Sequence, residues 1–149
     1  MKKILFVCTG NTCRSPMAEL VLKNKIKRAN ITGIRVLSAG ISTENGLKIN
    51  KNAAAVLKKR KISPYNFRSR ILTKKLVESA DMVICMTETH KEYLKGFSNV
   101  CTIAELTGAG DIIDPYGYGE EVYEKTLGEI DFACEIITKK ILKAKGENV

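Results

Sequence analysis

Histidine is nearly absent from this chain of 149 residues: His90 stands alone. A single imidazole excludes most histidine-containing metal sites, and any catalytic triad that needs a second histidine for metal or relay. CxxC spacing is missing from the five cysteines, Cys8, Cys13, Cys85, Cys101 and Cys134. An odd, scattered set suits neither a secreted disulfide framework nor a zinc ribbon, so no metal and no cofactor are expected. Long apolar runs are missing as well. Ile4 to Val7 follows two lysines as a signal peptide would, but the run is far too short and lacks a cleavage region. Nothing approaches the roughly 18 apolar residues of a membrane span. No internal repeat, low-complexity segment or interdomain linker interrupts the chain, and Asn45-Gly46 and Gly108-Ala109-Gly110 read as loops. The expectation is one cytoplasmic domain over residues 1–149, a monomer with no membrane partner.

Acidic residues are scarce beside basic ones, 16 against 25, which leaves a formal net charge of +9. Such a surplus invites an anionic ligand or a nucleic acid. The lysine clusters Lys58-Lys59-Arg60-Lys61 and Lys139-Lys140 come without a helix-turn-helix, an aromatic RNA platform or a zinc finger. Motif-free basic runs are usually solvated helix faces. No nucleic-acid partner is therefore expected, and a basic module that binds an anion or nucleic acid is the remote non-enzyme alternative.

What is present is a globular composition, 44% hydrophobic and 28% charged. Lys3–Val7 (KILFV) is nearly continuous in apolar character, as a strand buried on both faces must be. Gly33–Ala39, Met82–Met86 and Val100–Ile103 are further strand candidates. Helical spacing separates them: Ala18, Leu22, Ile26 and Ala29 share one face, and Ala53, Ala54, Val56 and Leu57 lie within residues 50–60. The strongest stripe is Leu127, Ile130, Cys134, Ile137 and Ile141, with Glu120, Glu121 and Glu124 at its start and Lys139, Lys140, Lys143 and Lys145 at its end. Alternating strands and helices predict an α/β fold: a small, doubly wound, four-stranded parallel sheet with helices on both faces, Rossmann-like. Ligands of such sheets bind beyond the carboxyl ends of the strands, which directs attention to residues 8–15.

That first turn reads Cys8-Thr9-Gly10-Asn11-Thr12-Cys13-Arg14-Ser15-Pro16. Ser15 is a competent N-cap and Pro16 suits the first helical position. Backbone N–H groups gathered beside a helix N-terminus form an anion site. Gly10 can take a positive φ in such a cradle, and Arg14 adds a bidentate fork for phosphate oxygens. A thiol in that field is activated as a thiolate, so Cys8 can attack phosphorus to give a cysteinyl-phosphate. The plain alternative for Cys8 is a buried thiol that ends a core strand.

The run Cys8–Glu19 (CTGNTCRSPMAE) resembles the signature of the low-molecular-weight protein tyrosine phosphatase family. The resemblance extends through Ser38-Ala39-Gly40, Ser79-Ala80-Asp81, Met86-Thr87 and Asp114-Pro115-Tyr116, in the family's order. It implies Cys8 as nucleophile, Arg14 as phosphate and transition-state clamp, and Ser15 as a hydroxyl donor to Cys8. It further implies Asn11, helped by Ser38, as the support of the loop, and Asp114 as general acid and then general base. Thr9, Gly10, Asn11, Thr12, Cys13, Arg14 and Ser15 would bind phosphate, with Tyr116 and Tyr118 as walls of the pocket or as exposed loop aromatics. Asp114 before proline is also an ordinary turn residue, and Asp111 is the backup acid. Family members commonly carry a histidine that supports the loop asparagine, yet Tyr65–Arg70 has none. His90 is expected on a surface helix, without a catalytic role.

Tyrosine-directed members usually have a larger aliphatic residue where Thr12 stands, and threonine resembles the protein arginine phosphatase branch. A short hydroxyl side chain leaves room for a branched guanidine, whose N–H groups would cost about 1–3 kcal/mol each if buried unpaired. Phosphoprotein substrates are implied, with phosphoarginine favoured and phosphotyrosine as the alternative. Arsenate reductases share the fold but need two neighbouring relay thiols, and Cys85 has no near neighbour in sequence. Two readings are open for Cys13: a reversible disulfide with Cys8, or a small apolar filler.

Overall fold

β1 (Lys2–Cys8) occupies the centre of the sheet, as its apolar character on both faces requires. β2 (Ile34–Gly40) pairs with one edge of it, and β3 (Met82–Cys85) followed by β4 (Val100–Thr102) extends from the other. The order is β2-β1-β3-β4 with every pair parallel, so the expected doubly wound sheet is borne out. The computed structural model describes residues 2–146; Met1 and residues 147–149, the ends of the expected span, lie outside the described residues.

Strand alternation sorts the core into two layers. Ile4, Phe6 and Cys8 face one side, against α1 (Arg14–Arg28), α2 (Lys51–Lys59) and α6 (Glu120–Ala144). Leu5 and Val7 face the other, with Val77 of α3 (Lys74–Ser79) and Leu94, which caps α4 (Glu88–Tyr93). α5 (Ile103–Thr107) completes the larger layer through Ile103. Helices thus cover both faces. The stripe Leu127, Ile130, Cys134 and Ile137 on α6 is buried, with Ile141 half-buried at its end. Each fully buried Leu or Ile there contributes about 1.5–3 kcal/mol.

Two local expectations differ from the structure. α1 begins at Arg14 with Cys13 as its N-cap, so Ser15 is not the cap and Pro16 is the third helical residue. Proline is still tolerated there, because the first four N–H groups of a helix have no intrahelical acceptor. The short helices α3, α4 and α5 gave no periodic signal, since five or six residues span less than two turns.

β1 continues through α1 to β2 on one side, while β3 lies on the other. The crevice where the two windings part therefore opens beyond the carboxyl end of β1, at Cys8.

Candidate active site

The chain leaves β1 at Cys8, turns through residues 9–13 and enters α1 at Arg14. The carbonyls of Cys8, Thr9, Thr12 and Cys13 accept bonds from the N–H groups of Ile41, Ser42, Asn50 and Met17. Among the described residues, no backbone N–H from Thr9 to Ser15 donates to a protein acceptor. The loop therefore anchors itself by its oxygens and keeps its donors for a ligand, beside a helix N-terminus. Positive φ falls on Asn11, at 53°, and not on Gly10 as expected. Asparagine tolerates this conformation because its short amide can hydrogen-bond locally.

Asn11 is fully buried and every polar atom of its side chain is used. Its Nδ2 donates to Ser15 Oγ at 2.8 Å and to Ser38 Oγ at 2.9 Å, while Oδ1 accepts the Arg70 N–H at 2.8 Å. The Ser38 hydroxyl in turn donates a hydrogen bond to Glu19 Oε1 at 2.7 Å. Since Ser15 Oγ already accepts from Asn11, its hydroxyl proton is available for Cys8 Sγ, 2.8 Å away. The network thus presents a donor to the sulfur and fixes the amide orientation of Asn11.

Arg14 is 5% exposed; its Nη1 donates to the Ile112 carbonyl at 3.0 Å, and its Nη2 lies 3.7 Å from Asp114 Oδ2. Asp114 Oδ1 accepts the Tyr116 N–H at 3.0 Å, a turn that holds the carboxylate at the mouth of the site. An open cleft of about 600 Å³ is lined by residues 8–14, by Ser42–Glu44 and Leu47, and by Asp114 and Tyr116. Of the residues singled out from sequence, Cys8 to Arg14, Asp114 and Tyr116 share this cleft, while Ser15 and Ser38 stand behind its wall. Tyr118 and Asp111 do not line it; Asp111 accepts the Glu88 N–H at 3.2 Å instead.

Cys13 is buried, with its Sγ 3.4 Å from the Tyr123 hydroxyl, and burial pushes its thiol pKa up. Cys85 lies in β3, where burial pushes its thiol up to about 12, and Cys101 lies in the adjacent β4. Neither lines the cleft. All five cysteines are free thiols.

His90 corrects the surface expectation. It sits on α4 but is only 4% exposed, because α4 packs against β3 and β4 and the ring turns under the loop. Its Nε2 is 3.0 Å from Thr9 Oγ1 and its Nδ1 is 3.0 Å from Thr87 Oγ1. Burial first, and then the charge of Arg14, hold its pKa down to about 4.

Three contributors went unassigned in the sequence. Gly40 ends β2 against the loop, where a Cβ would stand 2.8 Å from the Thr9 carbonyl oxygen. Its signal was its place in Ser38-Ala39-Gly40. Glu19 anchors Ser38 from inside α1, also within the quoted signature. Arg70 supports Asn11 through a backbone N–H, which no side-chain pattern announces.

Residues 3–147 match the family described as low molecular weight phosphotyrosine protein phosphatase. The chain is similar to a protein-arginine-phosphatase of Bacillus subtilis (strain 168), 37% identical over 94% of this chain and 97% of the relative. It is also similar to the low molecular weight protein-tyrosine-phosphatase PtpB of Staphylococcus epidermidis, 34% identical over 86% of this chain and 91% of the relative. Among solved structures, the YwlE arginine phosphatase, a cysteine-to-serine mutant with a phosphorylated active site serine, superposes with a TM-score of 0.87. The two are 36% identical, and the match covers 95% of each chain.

Proposed function

The chain belongs to the low molecular weight phosphotyrosine protein phosphatase family, and from that premise we propose that it hydrolyses phosphoarginine side chains through a phosphate carried on Cys8. Phosphate binds against the free N–H groups of residues 9–15 and the guanidinium of Arg14. Cys8 Sγ attacks phosphorus and the P–N bond to the guanidine breaks. Asp114, at the cleft mouth, protonates the departing nitrogen. Water then attacks the cysteinyl-phosphate, Asp114 takes its proton, and the S–P bond breaks to release inorganic phosphate. Ser15 steadies the sulfur each time negative charge returns to it. The phosphorylated serine in the mutant relative supports a covalent adduct at this position.

The observation that carries the substrate assignment is Thr12, half-buried within the phosphate loop and lining the cleft. Its short side chain leaves room beside phosphorus, and its hydroxyl oxygen can accept from guanidine N–H groups, as a bulkier aliphatic chain cannot. The deciding experiment compares kcat/KM on phosphoarginine and phosphotyrosine peptides for the wild type and Thr12→Ile. Phosphoarginine is expected to be preferred, with the ratio falling roughly 10–200-fold in the variant. An unchanged ratio removes Thr12 from specificity.

One observation favours phosphotyrosine as the second reading: Tyr116, 71% exposed at the cleft, offers a flat wall for a phenol ring. A preference for phosphotyrosine peptides in the same assay selects it. Either way the substrates are phosphoproteins, and no metal takes part in the steps above.

A further inference from the structure

The imidazole of His90 is held by two threonines, and their other hydrogen bonds favour one placement of its proton. Thr87 caps α4 and its Oγ1 accepts the backbone N–H of His90 at 3.3 Å. The same oxygen lies 3.0 Å from His90 Nδ1. A hydroxyl oxygen that already accepts from the backbone still has its own proton to give, and Nδ1 is the acceptor in reach. Nδ1 is then unprotonated and the ring proton sits on Nε2, which donates to Thr9 Oγ1 at 3.0 Å.

The opposite tautomer fits less well. It would aim two N–H groups at the one oxygen of Thr87 and leave the Thr87 hydroxyl proton without an acceptor among the described residues. Unpaired donors are disfavoured in part-buried sites of this kind. The ring is neutral at ordinary pH, because burial and Arg14 oppose its protonation more than Asp111 and Asp114 favour it.

The consequence reaches the cleft. Thr9 follows Cys8 directly, is exposed and lines the cavity. With its oxygen already accepting from Nε2, its hydroxyl proton has no acceptor among the described residues. We infer that His90 is a positioning residue whose Nε2–H makes the Thr9 side chain a dedicated hydrogen-bond donor to a phosphoryl oxygen of the substrate. This rests on the phosphatase reading and adds a side-chain donor to the backbone cradle. It holds for phosphoarginine and phosphotyrosine alike, since both present the same phosphoryl oxygens.

His90 is the single histidine of the chain, so the imidazole 15N spectrum of the tag-free protein reports on this ring alone. At neutral pH one Nε2–H tautomer is expected, with a proton that exchanges slowly with solvent. An Nδ1–H tautomer, or a ring that averages between the two, overturns the inference.

The functional arm uses inorganic phosphate as the probe, measured as competitive inhibition of aryl phosphate hydrolysis. Thr9→Val and His90→Asn are each expected to weaken phosphate roughly tenfold, the worth of one hydrogen bond to a charged group. The double variant is expected to lose no more than Thr9→Val alone. His90→Gln, whose amide reaches the place of the ring Nε2, is expected to recover most of the loss, as is Thr9→Ser. Additive losses in the double variant overturn the coupling. Thr9 is exposed, so its variant tests the contact even if His90→Asn fails to fold. Phosphate affinity untouched by Thr9→Val overturns the inference and leaves the phosphatase reading standing. A wild type that binds no phosphate overturns both.

Discussion

Gly40 and Asn11 approach so closely that a Cβ on Gly40 would stand 2.9 Å from the Cβ of Asn11. The end of β2 is thus the surface against which the phosphate loop is moulded, with the Ile41 and Ser42 N–H groups holding its carbonyls from the same strand end. A tight backbone contact here does for the loop what a bulky support would do elsewhere: it leaves one arrangement available.

Gly40→Ala is expected to displace the loop, because the nearest atoms, the Thr9 carbonyl oxygen and the N and Cβ of Asn11, are fixed to the loop backbone and cannot swing aside. A misplacement of this kind lowers kcat/KM by roughly 100-fold. The fold remains, since Gly40 does not need a positive φ. Aryl phosphate kinetics together with thermal unfolding check both halves; full activity would show that the loop can give way.

Asp114→Asn is expected to slow substrates with poor leaving groups by roughly 100- to 10,000-fold, and activated aryl phosphates much less. Asp114 lies 3.7 Å from Arg14 at the cleft mouth, so the variant also tests the pair. Equal losses across a series of leaving groups would assign Asp114 to binding alone.

Cys13 shares the cleft wall with Cys8. Hydrogen peroxide is expected to oxidise Cys8 to a sulfenic acid, whose sulfur the Cys13 thiol then attacks, breaking the S–O bond and releasing water, to form a disulfide that a thiol reductant reopens. Cys13→Ser is expected to turn this recoverable inactivation into a permanent one. Equal recovery in the two proteins would leave Cys13 as packing against Tyr123.

Stability is expected to fall on acidification through His90. Its pKa is about 4 in the folded chain against an ordinary 6.5. Between those values the unfolded chain binds a proton that the native state refuses, so native stability is lost as pH drops through this window. The loss is on the order of 2–3 kcal/mol by pH 4. Urea unfolding at pH 4–7 is expected to show this dependence in the wild type and a flatter one in His90→Gln. Identical slopes would remove His90 from the acid response.

Much of the fold was legible because its signals are local. KILFV is apolar on both faces, and the stripe from Leu127 to Ile141 repeats at helical spacing, so strand and helix declare themselves within a few residues. The loop was legible for the same reason, as Cys8, Asn11, Arg14 and Ser15 fall within one turn of chain. The sign of the ligand was legible in the charge. The surroundings of the loop were not. Whether Gly10 or Asn11 takes the positive φ depends on how the amide of Asn11 is caught by Ser38 and by the Arg70 N–H.

His90 marks the boundary most clearly. The sequence by itself determined the parallel sheet, its longer helices and the loop that runs from Cys8 to Arg14. Only the tertiary structure decided that Arg70, 59 positions from Asn11, supplies the support once sought in a histidine, and that His90, 81 positions from Thr9, lies beneath the loop. Periodicity and turn chemistry act between neighbours along the chain. The contacts that orient a side chain and move a pKa come from residues that folding alone brings within 3 Å or so of one another.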